Sequence, residues 1–298
     1  MSLGGSDNAI SMTPARLFGQ VQRFALLAAK RSHEDREYVH KLRVATRRAA
    51  VVVEALAADF EGDDARRILR GLRRLRRKAG VARDLDVRLA ELVVDHSLLE
   101  RETQIALVHR LALARGEAQQ ALAIHVKERR KAGEFKEWHS LAKRMHRRAK
   151  RVGRFELAVS SRLTQSIQQL EEQSSPWPVL PKQLHRLRRE VRRARYLVEW
   201  IAGGMSQESR QTLMGELRAC QEDLGAWHDK WIGGHVWRQW GEEAGPEMHE
   251  AMERWNHETV DAEQQSRMQC ESTWAGERFQ RLTALLRQPL SSEPRDLG

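Results

Sequence analysis

Apolar residues recur every three or four positions along almost the whole chain, and no stretch alternates in the manner of a half-buried strand. Thr13-Pro14 marks a helix start, a capping hydroxyl followed by proline at the first helical position, and the helix should run to about Lys30. A second helix is expected from Glu34 to Phe60. A third follows the acidic pair Asp63-Asp64 and ends near Gly80. Further helices are expected over Asp84–Asp95, Ser97–Arg130 and, as one long element, Glu134 to about Leu170. The run Ser174-Ser175-Pro176-Trp177-Pro178-Val179-Leu180-Pro181 stops any helix, because three prolines remove three amide donors and clash with the preceding turn. Beyond it the period resumes over Lys182–Ala202, closed by Gly203-Gly204, then Ser206–Leu224, His228–Trp240 and Pro246 to about Arg287. The pattern predicts an all-α protein of two helical bundles, of the four-helix-bundle type.

Comparing the chain with itself sharpens this picture. His40-Lys41-Leu42-Arg43, Arg47-Arg48 and Glu54 return as His185-Arg186-Leu187-Arg188, Arg192-Arg193 and Glu199, each 145 positions later. Leu72, Gly80 and Asp84 return as Leu217, Gly225 and Asp229 at the same offset. Identical spacing over two helices predicts a tandem duplication with an internal pseudo-twofold relation. The expected division is a flexible tail at 1–12, a first repeat over 13–173, a Pro-rich linker at 174–181, a second repeat over 182–287 and a disordered tail at 288–298. The long helix 134–170 is expected to be shared with the second repeat.

At about 100° per residue, His40, Arg43, Arg47 and Glu54 fall within roughly 60° of one another. Leu42, Ala45, Ala49, Val52, Val53 and Leu56 gather on the opposite side. In the second copy His185, Arg188, Arg192, Arg195 and Glu199 share a stripe, with Leu187, Ala194, Leu197, Val198 and Ile201 largely opposite. Such a helix packs with one face and presents the other. A solvated surface would also be basic, but it mixes signs and favours lysine. Like charges at i,i+4 oppose the helix, so their repetition points to a bound anion. Two more rows extend the set: Arg66, Arg70, Arg73 and Arg77 with Arg74 beside them, and Lys143, Arg147, Lys150 and Arg154. If these rows converge, they would form a groove or channel.

Charge changes the picture from fold to partner. The 298 residues hold 52 Lys+Arg against 41 Asp+Glu, a formal charge of +11, which calls for an acidic partner. Forty-two of the basic residues are arginine, whose fork fits phosphate oxygens, although a GC-rich genome would give the same bias. Residues 1–195 carry a balance of +19 and residues 196–298 one of −8, so the anion site should lie mainly in the first two thirds. Cys220 and Cys270 make neither a disulfide framework nor a metal site. No run of 18 apolar residues or leader pattern is present, and a cytoplasmic protein is expected.

The segments VHKLRVATRR and LHRLRREVRRARYLVE, with GVARDLDV and LGAWHD downstream, resemble the CHAD family, the conserved histidine α-helical domain, over about residues 13–287. The resemblance implies two four-helix bundles in pseudo-twofold relation whose basic surface and central pore bind inorganic polyphosphate. It also implies association with polyphosphate granules for some members. The implied contacts are His40, Arg43, Arg47 and Arg48, then His185, Arg188, Arg192, Arg193 and Arg195, with Arg189 adjoining them. Two departures stand out: Ala50 occupies the place of Arg195, and Arg83 precedes Asp84 where His228 precedes Asp229, so one half is expected to bind more weakly than the other. No acidic E-x-E-x-K signature accompanies the domain, so the resemblance implies no triphosphatase.

The individual residues leave several roles open. His40 and His185 could contact the ligand, make structural hydrogen bonds, or serve catalysis or a metal; neither shows the HExxH spacing of a zinc helix. Neighbouring cations should hold both imidazoles neutral. Asp84, Asp86 and Asp229 are expected to cap helices after glycine turns or to orient arginines, and Glu54 and Glu199 to orient arginines within their helices. The late tryptophans (Trp227, Trp231, Trp237, Trp240, Trp255 and Trp274) are expected in the core, apart from the arginine rows. The leading expectation is a non-catalytic binder of polyphosphate or another polyanion, with no cofactor or metal. A nucleic-acid binder would need aromatic or amide readers among the arginines, and a phosphoanhydride enzyme a carboxylate or metal cluster there.

Overall fold

The computed structural model describes residues 13–59, 63–94, 101–201, 205–242 and 246–291. Among these the regular elements are all helical: α1 (Pro14–Arg31), α2 (Glu37–Ala55), a 3-10 turn (Ala57–Asp59), α3 (Asp64–Val94), α4 (Arg101–Lys131) and α5 (Glu134–Arg151). They continue with α6 (Arg154–Ser174), α7 (Pro181–Ile201), α8 (Gln207–Glu242), α9 (Pro246–Trp274) and α10 (Glu277–Ser291). Thr13 caps α1 as its sequence predicts, its hydroxyl accepting from the Arg16 amide at 3.2 Å, with Pro14 opening the helix. The terminal segment 1–12, the Gly203-Gly204 stop and residues 292–298 lie outside the described residues.

Several elements depart from the sequence reading. Gly80 and Gly225 do not end helices: α3 and α8 run through them unbroken, so Asp84 and Asp229 are mid-helix, exposed residues rather than caps. A helix tolerates one glycine at a cost of about 1 kcal/mol when its other turns are well packed, and Ala79 and Ala82 beside Gly80 are fully buried. Conversely, the expected helix 134–170 is two helices, broken at Val152-Gly153, where Gly153 has φ +64°. The expected helix 246–287 is likewise broken before Gly276, at φ +81°. Periodicity carries across such a one-residue left-handed joint, and so does not reveal it. α10 reaches Ser291 through Pro289, beyond the expected end at Arg287.

The order α1–α5 is repeated by α6–α10. Glu37, Asp64, Arg101 and Glu134 open α2 to α5, and Pro181, Gln207, Pro246 and Glu277 open α7 to α10 after an interval of 143 to 145 residues. Gly133, at φ +74°, joins α4 to α5 as Gly276 joins α9 to α10. The element order begins again after the Val152-Gly153 break, and the Pro-rich segment is the α6–α7 connection.

By contacts the described residues form two compact units, those within 13–83 with 118–155, and those within 84–117 with 156–291. Residues 174–181 lie within the second unit, and α3 and α4 each change unit partway along. In the first unit α1 packs on α2 and α5 through Leu17, Phe18, Val21, Val39, Leu42 and Leu141. Trp138 is its centre, edge-on to Phe18 at 6.4 Å and Phe135 at 5.6 Å. In the second unit α8 packs on α9 and α7 through Leu184, Leu187, Leu217, Leu224, Trp227 and Trp274. The Trp227 and Trp274 indole N–H groups donate to Glu263 and, at 2.7 Å, to Asp223, which satisfies their polar atoms inside an apolar core.

Asp86 on α3, 3 % exposed, accepts from Arg115 Nε on α4 at 2.8 Å within the second unit. Removing the carboxylate strands a desolvated guanidinium. Asp86→Ala is expected to lower stability by about 3 kcal/mol, and Asp86→Ala with Arg115→Ala to recover part of the loss, as read by urea unfolding.

Candidate anion-binding site

In the first unit the motif helix α2 faces α3. His40 is half-buried, and its proton affinity lies below the ordinary 6.5, chiefly because burial disfavours the cation and then because Arg83 of α3 adds like charge. Arg47 and Arg43 act in the same direction, while Glu37 opposes them. The imidazole is therefore pushed toward its neutral form among three guanidinium groups, in the direction that the arginine spacing suggested. Arg83 itself reaches Glu37 Oε1 at 3.5 Å. Arg43 lies across Gly80: a Cβ there would stand 2.6 Å from Arg43 Nη1. The glycine that seemed to end a helix instead leaves room for an arginine crossing between helices.

The second unit repeats the arrangement on α7 and α8. His185 is half-buried and its proton affinity is lowered, first by burial and then by Arg189, Arg188 and Arg192. Arg188 passes over Gly225, 3.7 Å from where a Cβ would sit. Opposite His185 stands His228, with Nδ1 atoms 3.5 Å apart. Trp231 lies 6.2 Å from His185, centroid to centroid, and stacks on Trp227 at 5.8 Å. Trp227 and Trp274 are fully buried, as expected of core residues, while Trp231 is half-buried beside the motif histidine; the side chains of Trp237, Trp240 and Trp255 lie outside the described set.

Arg83 and His228, the residues completing each cluster from the neighbouring helix, were not among the sequence candidates. Their shared 145-residue offset was the available signal. Other candidates are placed differently. Arg192 is buried at 9 % exposure, and Arg193 is half-buried and ion-paired with Glu190, itself 3 % exposed, so Glu190 is an orienting acid the sequence reading missed. Arg195 lays its guanidinium 4.9 Å from the Tyr196 ring, while Ala50 in the other copy is core. Arg48, Glu54 and Glu199 are half-buried on their own helices.

The α3 row is exposed. Arg66 pairs with Asp63 at 3.0 Å, and Arg73 and Arg77 face solvent. Arg70 and Arg74 line a cavity of about 310 Å³ with Arg67, Arg129, Glu137 and Trp138. Lys143, Arg147 and Lys150 are exposed on α5, but Arg154 opens α6 past the Gly153 joint, so the four do not form one helical row. No group of three or more His, Cys, Asp or Glu able to hold a metal occurs among the described residues. Cys220 and Cys270 are buried, the latter thiol pushed up to about 12, foremost by burial and then by Asp223.

The profile of the CHAD domain matches residues 15–238. The chain belongs to the CHAD domain family. A crystal structure of the CHAD domain from the plant Ricinus communis superposes with a TM-score of 0.65 at 18 % identity, covering 94 % of this chain and 95 % of that one. At that identity the likeness is one of fold. Comparison with curated proteins gives no match. Among the described residues no helix is long and apolar enough to cross a membrane.

Two glycines on α3 separate site from scaffold. A Cβ at Gly71 would stand 2.3 Å from the buried Trp138 ring, which cannot move aside, whereas at Gly80 it meets the end of a flexible arginine. Gly71→Ala is expected to cost about 1–3 kcal/mol by overpacking. Gly80→Ala is expected to hold or raise stability by up to about 1 kcal/mol while displacing Arg43. Thermal melts of the two variants check the contrast.

Proposed function

We propose that this CHAD-family chain binds inorganic polyphosphate, without catalysis, through the arginine–histidine clusters of α2–α3 and α7–α8. One observation carries the reading. In each unit a half-buried histidine and several guanidinium groups are held together against the adjacent helix, with an arginine laid over a glycine. Cations crowded this way repel, and a polyanion relieves that repulsion while accepting charge-assisted hydrogen bonds from the arginine forks. The neutral imidazoles add one donor each. A chain polymer also suits a protein with two such patches, because a second contact by the same molecule is intramolecular. The reading goes with a cytoplasmic protein associated with polyphosphate granules and needing no cofactor.

A nucleic-acid reading draws on one observation, Trp231 beside His185. Trp231 is already stacked on Trp227, which leaves less of its ring for a base.

Calorimetric titration with long-chain polyphosphate, single-stranded DNA and triphosphate at two salt concentrations, with phosphate release followed, tests both. Polyphosphate should bind tightest charge for charge, with affinity falling at least about tenfold from 50 to 200 mM salt and no phosphate released. Arg43→Glu with Arg188→Glu should abolish binding while leaving the helical circular dichroism intact. Tighter binding to DNA, or normal binding by the double variant, would overturn the reading.

A further inference from the structure

Among the places where the two clusters differ is the position one residue before Asp84 on α3 and before Asp229 on α8. In the first unit Arg83 holds it, next to His40 and 3.5 Å from Glu37. In the second His228 holds it, its Nδ1 3.5 Å from His185 Nδ1, with ring centroids 4.8 Å apart and planes inclined at 42°. The position of Glu37 is taken by Lys182, which is exposed. We infer that Arg83 and His228 are anion-site residues that make the two halves unequal: Arg83 supplies a permanent charge, whereas His228 and His185 supply a charge that arrives with a proton. The inference rests on the polyanion-binding reading and specifies how its second half is regulated.

The surroundings fit a proton-dependent pair. Two imidazoles facing through Nδ1 can share one proton, one nitrogen donating and the other accepting, whereas protons on both facing nitrogens would set two cations in contact. The charges that act on His185 are the guanidinium groups of Arg189, Arg188 and Arg192 on its own helix. On α8, Trp227 and Trp231 lie beside His228, at 5.9 and 5.6 Å between centroids. His235 lies beyond Trp231, to which it is edge-on at 5.2 Å. Asp229 and Lys230 follow His228 and are exposed. From α3, Arg88 donates to the Asp229 carbonyl at 3.1 Å, and its charge is paired with Glu91. An arriving polyanion offsets the guanidinium field and raises the proton affinity of the pair. Binding is then linked to proton uptake, and affinity rises as pH falls through the histidine range. His40 contributes a like effect in the first half, where Arg83 adds none. The second half carries the extra titrating group.

The chain offers a reciprocal test. Affinity for long-chain polyphosphate is measured at pH 7.5 and 5.5 at fixed ionic strength, and proton uptake by calorimetry in buffers of different ionisation enthalpy. His228→Arg should raise affinity at pH 7.5 several-fold, flatten the pH dependence and take up fewer protons. Arg83→His should weaken binding at pH 7.5 and steepen the dependence, by up to about tenfold for each unit of proton-affinity shift. His228→Gln, neutral throughout, should lose the part of the low-pH gain that His228 supplies; circular dichroism and melting confirm that each variant is folded. A wild-type pH dependence in His228→Arg, or no change in Arg83→His, would overturn the assignment. Running the same titrations with dextran sulfate separates the two readings. pH-dependent, His228-dependent binding of dextran sulfate alone would sink polyphosphate as the ligand and keep the assignment. Binding of neither polymer would sink both.

Discussion

Guanidinium groups repeated every three or four residues on a helix repel one another, and a helix that carries them must be held from its other face. α2 and α7 are built around that constraint. Each buries a continuous apolar stripe, Leu42, Ala45, Ala49 and Val52 in one and Leu184, Leu187, Val191, Ala194 and Val198 in the other, so packing fixes the helix whatever its charged face does. The neighbouring helices adapt in turn. Gly80 lies under Arg43, whose Nη1 a Cβ there would meet at 2.6 Å, and Gly225 under Arg188, Glu190 takes up Arg193, and burial and the surrounding cations both lower the proton affinity of the two motif histidines. A site so arranged gains most from a ligand that brings many negative charges at once.

The two halves share this device and differ in other places. Where α3 has Gly71 against the Trp138 ring, α8 has Glu216 at the equivalent position, paired at 3.1 Å with Arg278, whose guanidinium lies 4.1 Å above the Trp274 ring. One copy uses an aromatic residue fitted into a glycine notch, the other an ion pair laid over an aromatic. Both solutions fasten the last helix of the repeat, α5 or α10, to the third. The divergence at Arg83 and His228 differs in kind, because it falls inside the basic cluster and changes its charge.

Buried ionic contacts also mark the segment of α3 and α4 that belongs to the second unit. Arg88, 4 % exposed, pairs with Glu91, while its Nη1 lies 2.5 Å from where a Cβ on Gly233 would sit. Asp86 binds Arg115 nearby in sequence. Such groups are costly to desolvate singly and hold their geometry only when paired. Arginine in this chain therefore does two jobs, exposed or half-buried as candidate ligand and fully buried as internal strut, and composition counts both alike.

The helical class, the apolar faces of α2 and α7, the cap at Thr13 and the repeated motif are legible in the amino-acid order, because each is written in local spacing. It named His40, Arg43, His185 and Arg188, which the structure does place in clusters. It could not find the joints at Gly153 and Gly276, since a single left-handed residue leaves the hydrophobic period intact on either side. Nor could it tell that Gly80 and Gly225 lie inside helices, each beneath an arginine of another helix 37 residues away. Only the tertiary structure joined Arg83 to His40, His228 and Trp231 to His185, and Glu190 to Arg193. Helical spacing states which face a side chain occupies; what stands opposite that face depends on how two helices pack.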